Sequence, residues 1–308
     1  MSNVPLFTII TPCLNRISML TEAIESVQRQ NYAPVEHIIV DGGSTDGTLE
    51  KLARYSRLKV VSGPDKGMYD ALNKGLQASS GKIIGFLNSD DFYTEGSLNA
   101  IVDEFAKADI DAVAARAIYF LENGDHAASF FRPSRLLTKQ ILWREIIYGD
   151  PAFNAWFFRR GVFDKIGNFD ITYRIAGDRD FLIRFAMNGL TYAHLERVVY
   201  HYRAHNDSLT VTRDANRFSK VADENVRLVE QYFDRVPRFA RPYLERVRTR
   251  DTITAASREL RVGSYQRAWQ HMQLGCRYDL LWPIKFFWRL FTGIFRVIGR
   301  RWGVYPPI

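Results

Sequence analysis

Four short apolar runs in the first 91 residues each stop at a cluster of polar side chains, and segments of helical period separate them. The runs are Leu6-Phe7-Thr8-Ile9-Ile10, His37-Ile38-Ile39-Val40, Leu58-Lys59-Val60-Val61-Ser62, and Ile83-Ile84 with Phe86-Leu87. Between them, Leu20 to Arg29 places Leu20, Ile24 and Val27 on one face, Leu49 to Tyr55 is helical, and a further helix opens at Asp65-Lys66-Gly67 and runs to about Ser79. Apolar runs of this length read as buried strands, and strands alternating with helices at this interval build βαβ units around a mostly parallel sheet. In such sheets ligands bind at the carboxyl ends of the strands. The polar clusters Asn15-Arg16, Asp41 to Asp46, Asp65-Lys66 and Asn88 to Asp91 occupy those ends and are expected to line one crevice.

The rest of the chain is less regular. A helix is expected from Ser97 to Ala106 and a strand from Ala112 to Phe120, with His126 to Phe131 pairing back through Glu122-Asn123-Gly124-Asp125, since Asn-Gly is a strong hairpin signal. Ile141 to Arg179 reads as a loop-rich insertion forming one wall of a site. Asp180 to Asn188 is expected as a helix and Val198 to Tyr202 as a strand, and beyond Asn216 the pattern is all helical, broken at Pro237, Pro242 and Gly263. The expected divisions are 1–210 as an α/β domain, 211–276 as a helical extension and 277–308 as an amphipathic helix.

At 308 residues the chain is long enough for a full core and an appendage. Two cysteines, Cys13 and Cys276, are too few for a disulfide framework or a zinc site, so a reducing cytosol is the simpler inference. Met1 to Pro5 leads directly into the first strand pattern, which predicts no signal peptide. Charge is uneven. Residues 1–210 hold 23 Lys and Arg against 25 Asp and Glu, whereas residues 211–308 hold 19 against 9, and 17 of those 19 cations are Arg. A basic third on a near-neutral body suggests a polyanionic partner. A membrane surface is favoured over nucleic acid, because the arginines recur at helical spacing among apolar residues.

Asp90 and Asp91 repel one another unless a cation or a ligand's positive charge lies nearby. Oxygen donors suit Mg²⁺ or Mn²⁺ shared with a phosphate-bearing substrate, while Asn-Ser-Asp-Asp is equally good turn chemistry. No Gly-x-Gly-x-x-Gly follows the first strand and no Gly-x-x-x-x-Gly-Lys-Ser/Thr loop occurs, which disfavours a Rossmann dinucleotide site and removes a P-loop NTPase. A sugar-phosphate nucleotidyltransferase needs a Gly-rich, basic first loop, and Thr11-Pro12-Cys13-Leu14-Asn15 is not one.

Four motifs in order carry a resemblance: Thr11-Pro12…Asn15, Val40-Asp41-Gly42-Gly43-Ser44-Thr45-Asp46-Gly47-Thr48, Asp65-Lys66-Gly67-Met68-Tyr69-Asp70-Ala71-Leu72-Asn73-Lys74-Gly75, and Phe86-Leu87-Asn88-Ser89-Asp90-Asp91. Over roughly residues 5–210 the chain resembles family two of the inverting glycosyltransferases, of the GT-A fold. That resemblance implies a hexosyltransferase-type enzyme using a nucleotide-diphospho-sugar, with a UDP-sugar favoured. Pro12, Asn15 and Asp41 would line the base and ribose pocket, and Asp65 and Lys66 would close over the nucleotide. Asn88, with Ser89, would face the ribose side. Asp90 would be the main ligand of Mn²⁺ or Mg²⁺, with Asp91 nearby and His205 a further candidate. Arg203 would face the diphosphate. The family's base is the Asp of a Glu-Asp pair at a late helix start; Gly177-Asp178 matches with Gly in place of Glu, which makes Asp178 the base and Asp180 a supporting residue. Asp150 and Trp156 match the acceptor side. The departures Asn88 and Gly177 also suit a catalytically silent scaffold of a polysaccharide assembly complex.

The carboxyl end adds one more element. Leu280 to Trp302 sets Lys285, Arg289, Thr292, Arg296 and Arg300 on one stripe and Ile284, Phe287, Trp288, Phe291, Ile294, Phe295, Ile298 and Trp302 on another. That is the pattern of a helix lying in a membrane interface. Together with the family resemblance, which implies cell-surface polysaccharide synthesis, it predicts an enzyme peripheral to the cytoplasmic face of the plasma membrane, where a lipid-linked glycan acceptor would lie. The alternative is a helix packed on the body.

Overall fold

A computed structural model describes residues 4–121, 129–130, 139–149, 151–204 and 215–289. The chain divides into two compact units, 1–211 and 212–308. The first is built on one mixed sheet of order β3-β2-β1-β4-β8-β6-β9-β5, with β7 added beside β6. Its strands are β1 (Phe7–Cys13), β2 (Val35–Asp41), β3 (Leu58–Ser62), β4 (Ile83–Phe86), β5 (Phe92–Tyr93), β6 (Ala112–Leu121), β7 (Ser129–Phe130), β8 (Trp156–Arg159) and β9 (Tyr192–Ala204). Helices α1 (Leu20–Gln28), α2 (Thr48–Leu52), α3 (Met68–Ala78) and α4 (Ser97–Lys107) follow β1, β2, β3 and β5. Helices α5 (Lys139–Ile147) and α6 (Gly161–Ile166) flank β8, and α7 (Gly177–Met187) precedes β9.

The four strands expected from the apolar runs are parallel to one another: β1 pairs with β2 and β4, and β2 with β3. The chain winds outward from β1 to β3 and returns to the other side of β1 as β4. The strand order therefore reverses between β1 and β4, which is where such sheets open a ligand crevice. The central strands are buried, whereas β3, at the edge, leaves Val60 39% exposed.

The second half departs from the expected loop-rich wall. Trp156–Arg159 forms a strand that enters the middle of the sheet, antiparallel to both β4 and β6. Trp156, Phe157 and Phe158 are each at most 1% exposed, so the run carries no alternation that would mark it as a strand. Pairing of β6 with β7 is antiparallel, as the hairpin requires, and its turn at 122–125 lies outside the described residues. The strand expected at 198–202 is longer, 13 residues, and runs parallel to β6 through a bulge near Arg116. Phe86, Phe153, Phe158, Phe163, Phe169 and Phe181 pack ring against ring, and so tie β4 and β8 to α6 and α7.

The second unit holds α8 (Ala215–Tyr232), α9 (Arg241–Arg261), α10 (Tyr265–Tyr278) and a further helix over 282–289. Pro242 does not break a helix but lies in the first turn of α9, where its missing N–H costs nothing. Residue 277 is not a helix start either: α10 runs through it, and the next helix opens at 282. Trp282 and Phe286 anchor that helix against Ile253 and Ala256, and Trp282 Nε1 donates to Thr252 Oγ1 at 2.8 Å. Its other side exposes Ile284, Phe287 and Trp288 by two-thirds or more. The stripe beyond residue 289, including Thr292, Arg296 and Arg300, lies outside the described residues. Among the described residues no helix is long and apolar enough to cross a membrane.

Candidate active site

The loops after β1 and β2 hold each other through side chain to backbone hydrogen bonds. Asn15 adopts φ +53°, a left-handed conformation that asparagine tolerates better than most residues. Its Oδ1 accepts from Thr45 N at 2.9 Å, and its own N–H donates to Ser44 Oγ at 2.8 Å. Asp46 accepts from Ile17 N and from Thr48, and Thr48 Oγ1 accepts from Arg16 N. The Asp-Gly-Gly-Ser-Thr-Asp-Gly-Thr block is thus the latch that fixes the mouth of the crevice beside Pro12.

Asp41 is fully buried, and its Oδ2 accepts from Gly43 N, Ser44 N and Ser62 Oγ, each at 3.1 Å. Burial alone raises its pKa, but the bonds from Ser44, Gly43 and Ser62 outweigh it and hold the carboxyl below the usual range. The same charge, after burial itself, pushes the Cys13 thiol up to about 12, so Cys13 is a packing residue without nucleophilic character. Asp65 lies against Gly42, where an added Cβ would come within 2.4 Å of its Oδ2, and accepts from Gly67 N at 2.8 Å. The Lys66 side chain is exposed beside it.

At the end of β4 the short strand β5 pairs antiparallel with β9, which carries Asn88 to Asp91 onto Tyr200 and Arg203. Tyr200 is fully buried. Its hydroxyl donates to Asp91 Oδ2 at 2.6 Å and accepts from Asn88 N and Asn154 Nδ2. Asp91 Oδ2 also accepts from Asn88 Nδ2, and Oδ1 from Arg203 N at 2.8 Å. Against Asp91 as a second metal ligand stand the three donors that engage its two oxygens and its 3% exposure. Burial, then the Asp90 charge, raise its pKa. Asp90 is the half-buried carboxylate of the pair. Ser89 is 6% exposed beside it. Among the described residues no group of three or more His, Cys, Asp or Glu is placed to hold a metal. Mg²⁺ and Mn²⁺ shared with substrate phosphates need only one or two carboxylates, and Asp90 beside Asn88 fits that donor set.

Arg203 is held in place by the fold. Its Nε donates to Asp90 O at 3.0 Å, its guanidinium pairs with Glu22 of α1 and lies over the Phe120 ring at 4.8 Å. A cleft of about 640 Å³ opens beside it along α1, lined by Glu22, Glu25 and Arg29 among others.

Asp178 is half-buried in the first turn of α7, with Oδ1 accepting from Arg179 N at 2.6 Å. Asp180 lies two residues further along α7. It is 1% exposed and takes both Arg184 Nε and Nη2 on Oδ2, at 2.9 and 2.8 Å. Arg184 also donates to Ile166 O and Asn168 O, so this pair closes the connection between α6 and α7. Trp156 corrects another expectation: it is 1% exposed, donates Nε1 to Pro151 O at 2.8 Å and stacks on Tyr192, so its ring cannot stack on an acceptor sugar. Asp150 and His205 lie outside the described residues.

Residues that sequence reasoning passed over are Tyr69 and Asn73, one turn apart on α3. Asn73 donates to Phe169 O and accepts from Phe169 N, and Tyr69 reaches Ile175 and Asp178. Their i, i+4 spacing was the available signal. Gly177 is also explained: a Cβ there would come within 2.7–2.8 Å of three atoms of the Tyr69 ring.

Residues 8–167 match the family described as glycosyl transferase family 2. A PGL/p-HBAD biosynthesis glycosyltransferase of Mycobacterium tuberculosis is 32% identical over 210 residues, covering 64% of this chain and 77% of that protein. An uncharacterized glycosyltransferase of Bacillus subtilis, EpsJ, is 26% identical over 221 residues, covering 67% and 63%. Among solved structures, a mannosyltransferase from Pyrobaculum calidifontis in complex with GDP-Man and Mn²⁺ superposes with a TM-score of 0.61 at 18% identity, covering 98% and 84%. S. aureus TarS 1–349 in complex with UDP-GlcNAc superposes at 0.57 and 15% identity, covering 91% and 92%. At those identities the structures establish the fold, GT-A, and nothing finer.

Proposed function

The chain belongs to glycosyl transferase family 2 and is a glycosyltransferase, and from that premise we propose an inverting transfer from a nucleotide-diphospho-sugar to a lipid-linked glycan acceptor at the cytoplasmic membrane face. The observation that carries the reading is the convergence at the β1/β4 switch point of the latched loops, Asn88 to Asp90 and the loop at Asp65-Lys66, with α7 joined to α3 through Tyr69. Solved relatives of the same fold are described with UDP, UDP-GlcNAc and GDP-Man, which supports a nucleotide-sugar donor.

Pro12, Asn15 and Asp41 would bound the base and ribose, and Asn88 and Ser89 the ribose side. Lys66, on the exposed loop after β3, would bring a cation over the diphosphate, and Arg203 would add a second. Mn²⁺ or Mg²⁺, held by Asp90, would supply charge against the leaving diphosphate. Asp178 would take the proton of the acceptor hydroxyl onto its carboxylate. The acceptor oxygen then bonds to the anomeric carbon as the bond from that carbon to the diphosphate oxygen breaks, and the electron pair leaves with the diphosphate. One displacement inverts the anomeric centre and needs no nucleophilic side chain.

Membrane contact is proposed for the exposed side of helix 282–289. Ile284, Phe287 and Trp288 stand out from a helix whose inner side is fixed by Trp282 and Phe286. Arg258 lies near Arg261 and Arg289; burial first, then these like charges, lowers its pKa, and an anionic headgroup would relieve that repulsion.

The test of the donor site is thermal stabilisation by UDP, GDP, dTDP and CMP, each with and without Mn²⁺. Ligand at about 100 times Kd adds about 2.7 kcal/mol to native stability. A rise with one nucleotide, larger with Mn²⁺, is expected. No rise with any of them contradicts the proposal.

A further inference from the structure

Helix α7 begins without a cap of its own. Its N-cap residue is Ala176, which has no side-chain acceptor to offer the first-turn N–H groups. The Tyr69 hydroxyl fills that role from another helix: it accepts from Asp178 N at 3.1 Å and donates to Ile175 O at 2.7 Å. One phenol thus spans the residues on both sides of the helix start. The ring is fixed in turn, stacked on Phe169 at 5.6 Å between centroids and seated in space that only a glycine at 177 leaves open. Tyr69 is 3% exposed.

The same phenol stands just past the Asp65-Lys66-Gly67 loop, in the first turn of α3. Arg174 adds a second link by donating Nη1 to Lys66 O, and Asn73 a third by pairing with both backbone groups of Phe169. The segment 169–178 is therefore fastened to α3 and to the loop after β3 at three points, one of which, through Tyr69, is the backbone of Asp178.

From this geometry we infer that Tyr69 is a positioning residue for the transfer: its hydroxyl fixes the backbone from which Asp178 meets the acceptor hydroxyl, and couples that position to the loop that covers the donor. The inference rests on Asp178 being the base. Tyr69 touches no reacting atom; it acts through the Asp178 N–H. Where a Glu would precede the Asp, this chain has Gly177, and the tyrosine ring occupies the room.

The experiment compares wild type, Tyr69→Phe, Asp178→Asn and the double variant, each full length. Two quantities are read: amide exchange over residues 175–182, and nucleoside diphosphate released from UDP-GlcNAc or GDP-mannose with Mn²⁺. Phe keeps the ring and its stacking but removes the hydroxyl. Loss of the hydroxyl that bonds both Ile175 O and Asp178 N is expected to speed exchange over 175–182 about tenfold or more, with residues 69–78 unchanged. It is expected to lower kcat about tenfold or more, with the KM for donor within about twofold. In the Asp178→Asn background, Tyr69→Phe should lower turnover no further, because a residue that acts only through Asp178 has nothing left to position. A merely structural tyrosine would lower the melting temperature and leave turnover per folded molecule intact, and that result overturns the inference. Unchanged exchange over 175–182 overturns it as well. Failure of the underlying reading looks different: Asp178→Asn itself then keeps wild-type turnover, whatever Tyr69→Phe does to exchange.

Discussion

Replacing Asp180 by Asn separates the two carboxylates at the start of α7 by what they do. Asp180 is 1% exposed, and its Oδ2 receives two bonds from Arg184, at 2.9 and 2.8 Å. The substitution keeps the shape and removes the charge. Breaking a buried pair by removing one partner costs about 3–5 kcal/mol, because the remaining charge is left without its counterion. Arg184 would keep Ile166 O at 2.6 Å, Asn168 O at 2.9 Å and the Phe181 ring at 5.3 Å, and its side chain is 20% exposed. Those contacts place the loss at the low end, about 3 kcal/mol. In a domain of this size that is a fall of roughly 6–12 °C in melting temperature. Turnover per folded molecule, measured as nucleoside diphosphate release well below the transition, should stay within about threefold of wild type. An unchanged melting temperature together with a loss of the size expected for a missing general base, roughly 10²-fold or more, would refute this assignment and return Asp180 to the chemistry.

Three further predictions follow from the same structure. Asp41 is held below the usual carboxylate range by the bonds that outweigh its burial, so it contributes stability that is full above its unfolded value and lost as pH falls through its folded value. Asp41→Asn should therefore lower stability at neutral pH and make acid unfolding below about pH 4 less steep, read by denaturant melts at stepped pH. Cys13, with its thiol pushed up to about 12, should resist a maleimide at about pH 7.5 until the protein unfolds, while half-buried Cys276 reacts first, as peptide mass mapping would show. Phe287→Ser with Trp288→Ser should weaken sedimentation with anionic vesicles about tenfold or more and leave the melting temperature within a few degrees, since both side chains are about two-thirds exposed. Cutting the chain near Arg277 is a poorer test, because it also strips Trp282 and Phe286 from the core of the helical unit.

The parts of the fold that were legible in the sequence are those whose causes are local. Val35–Asp41 and Ile83–Phe86 are bounded runs that end in turn chemistry, and their placement follows from parallel topology. Asn15, Asp41, Asp65 and Asn88 to Asp91 gather for the same reason. What was not legible depends on distant partners. Trp156–Arg159 gives no period, because both faces of a central strand are buried. Whether Trp156 faces an acceptor or the core is decided by Tyr192 and Pro151 O, neither of which spacing can place. Asp91 became a structural acceptor only when β5 carried it onto Tyr200 and Arg203, 109 and 112 residues away. Gly177 looked like a damaged motif in one dimension and is the seat of the Tyr69 ring in three.

The most direct measurement is on Asp178→Asn: nucleoside diphosphate release from the donor, beside the affinity for the nucleoside diphosphate that gives the largest thermal shift. Asn keeps an oxygen for the Arg179 N–H, which reaches Asp178 Oδ1 at 2.6 Å, so the fold has little reason to change. If Asp178 takes the acceptor proton, release falls about 10²-fold or more while affinity stays within about twofold. Release at the wild-type rate with affinity unchanged would contradict it, and the base would have to be sought elsewhere.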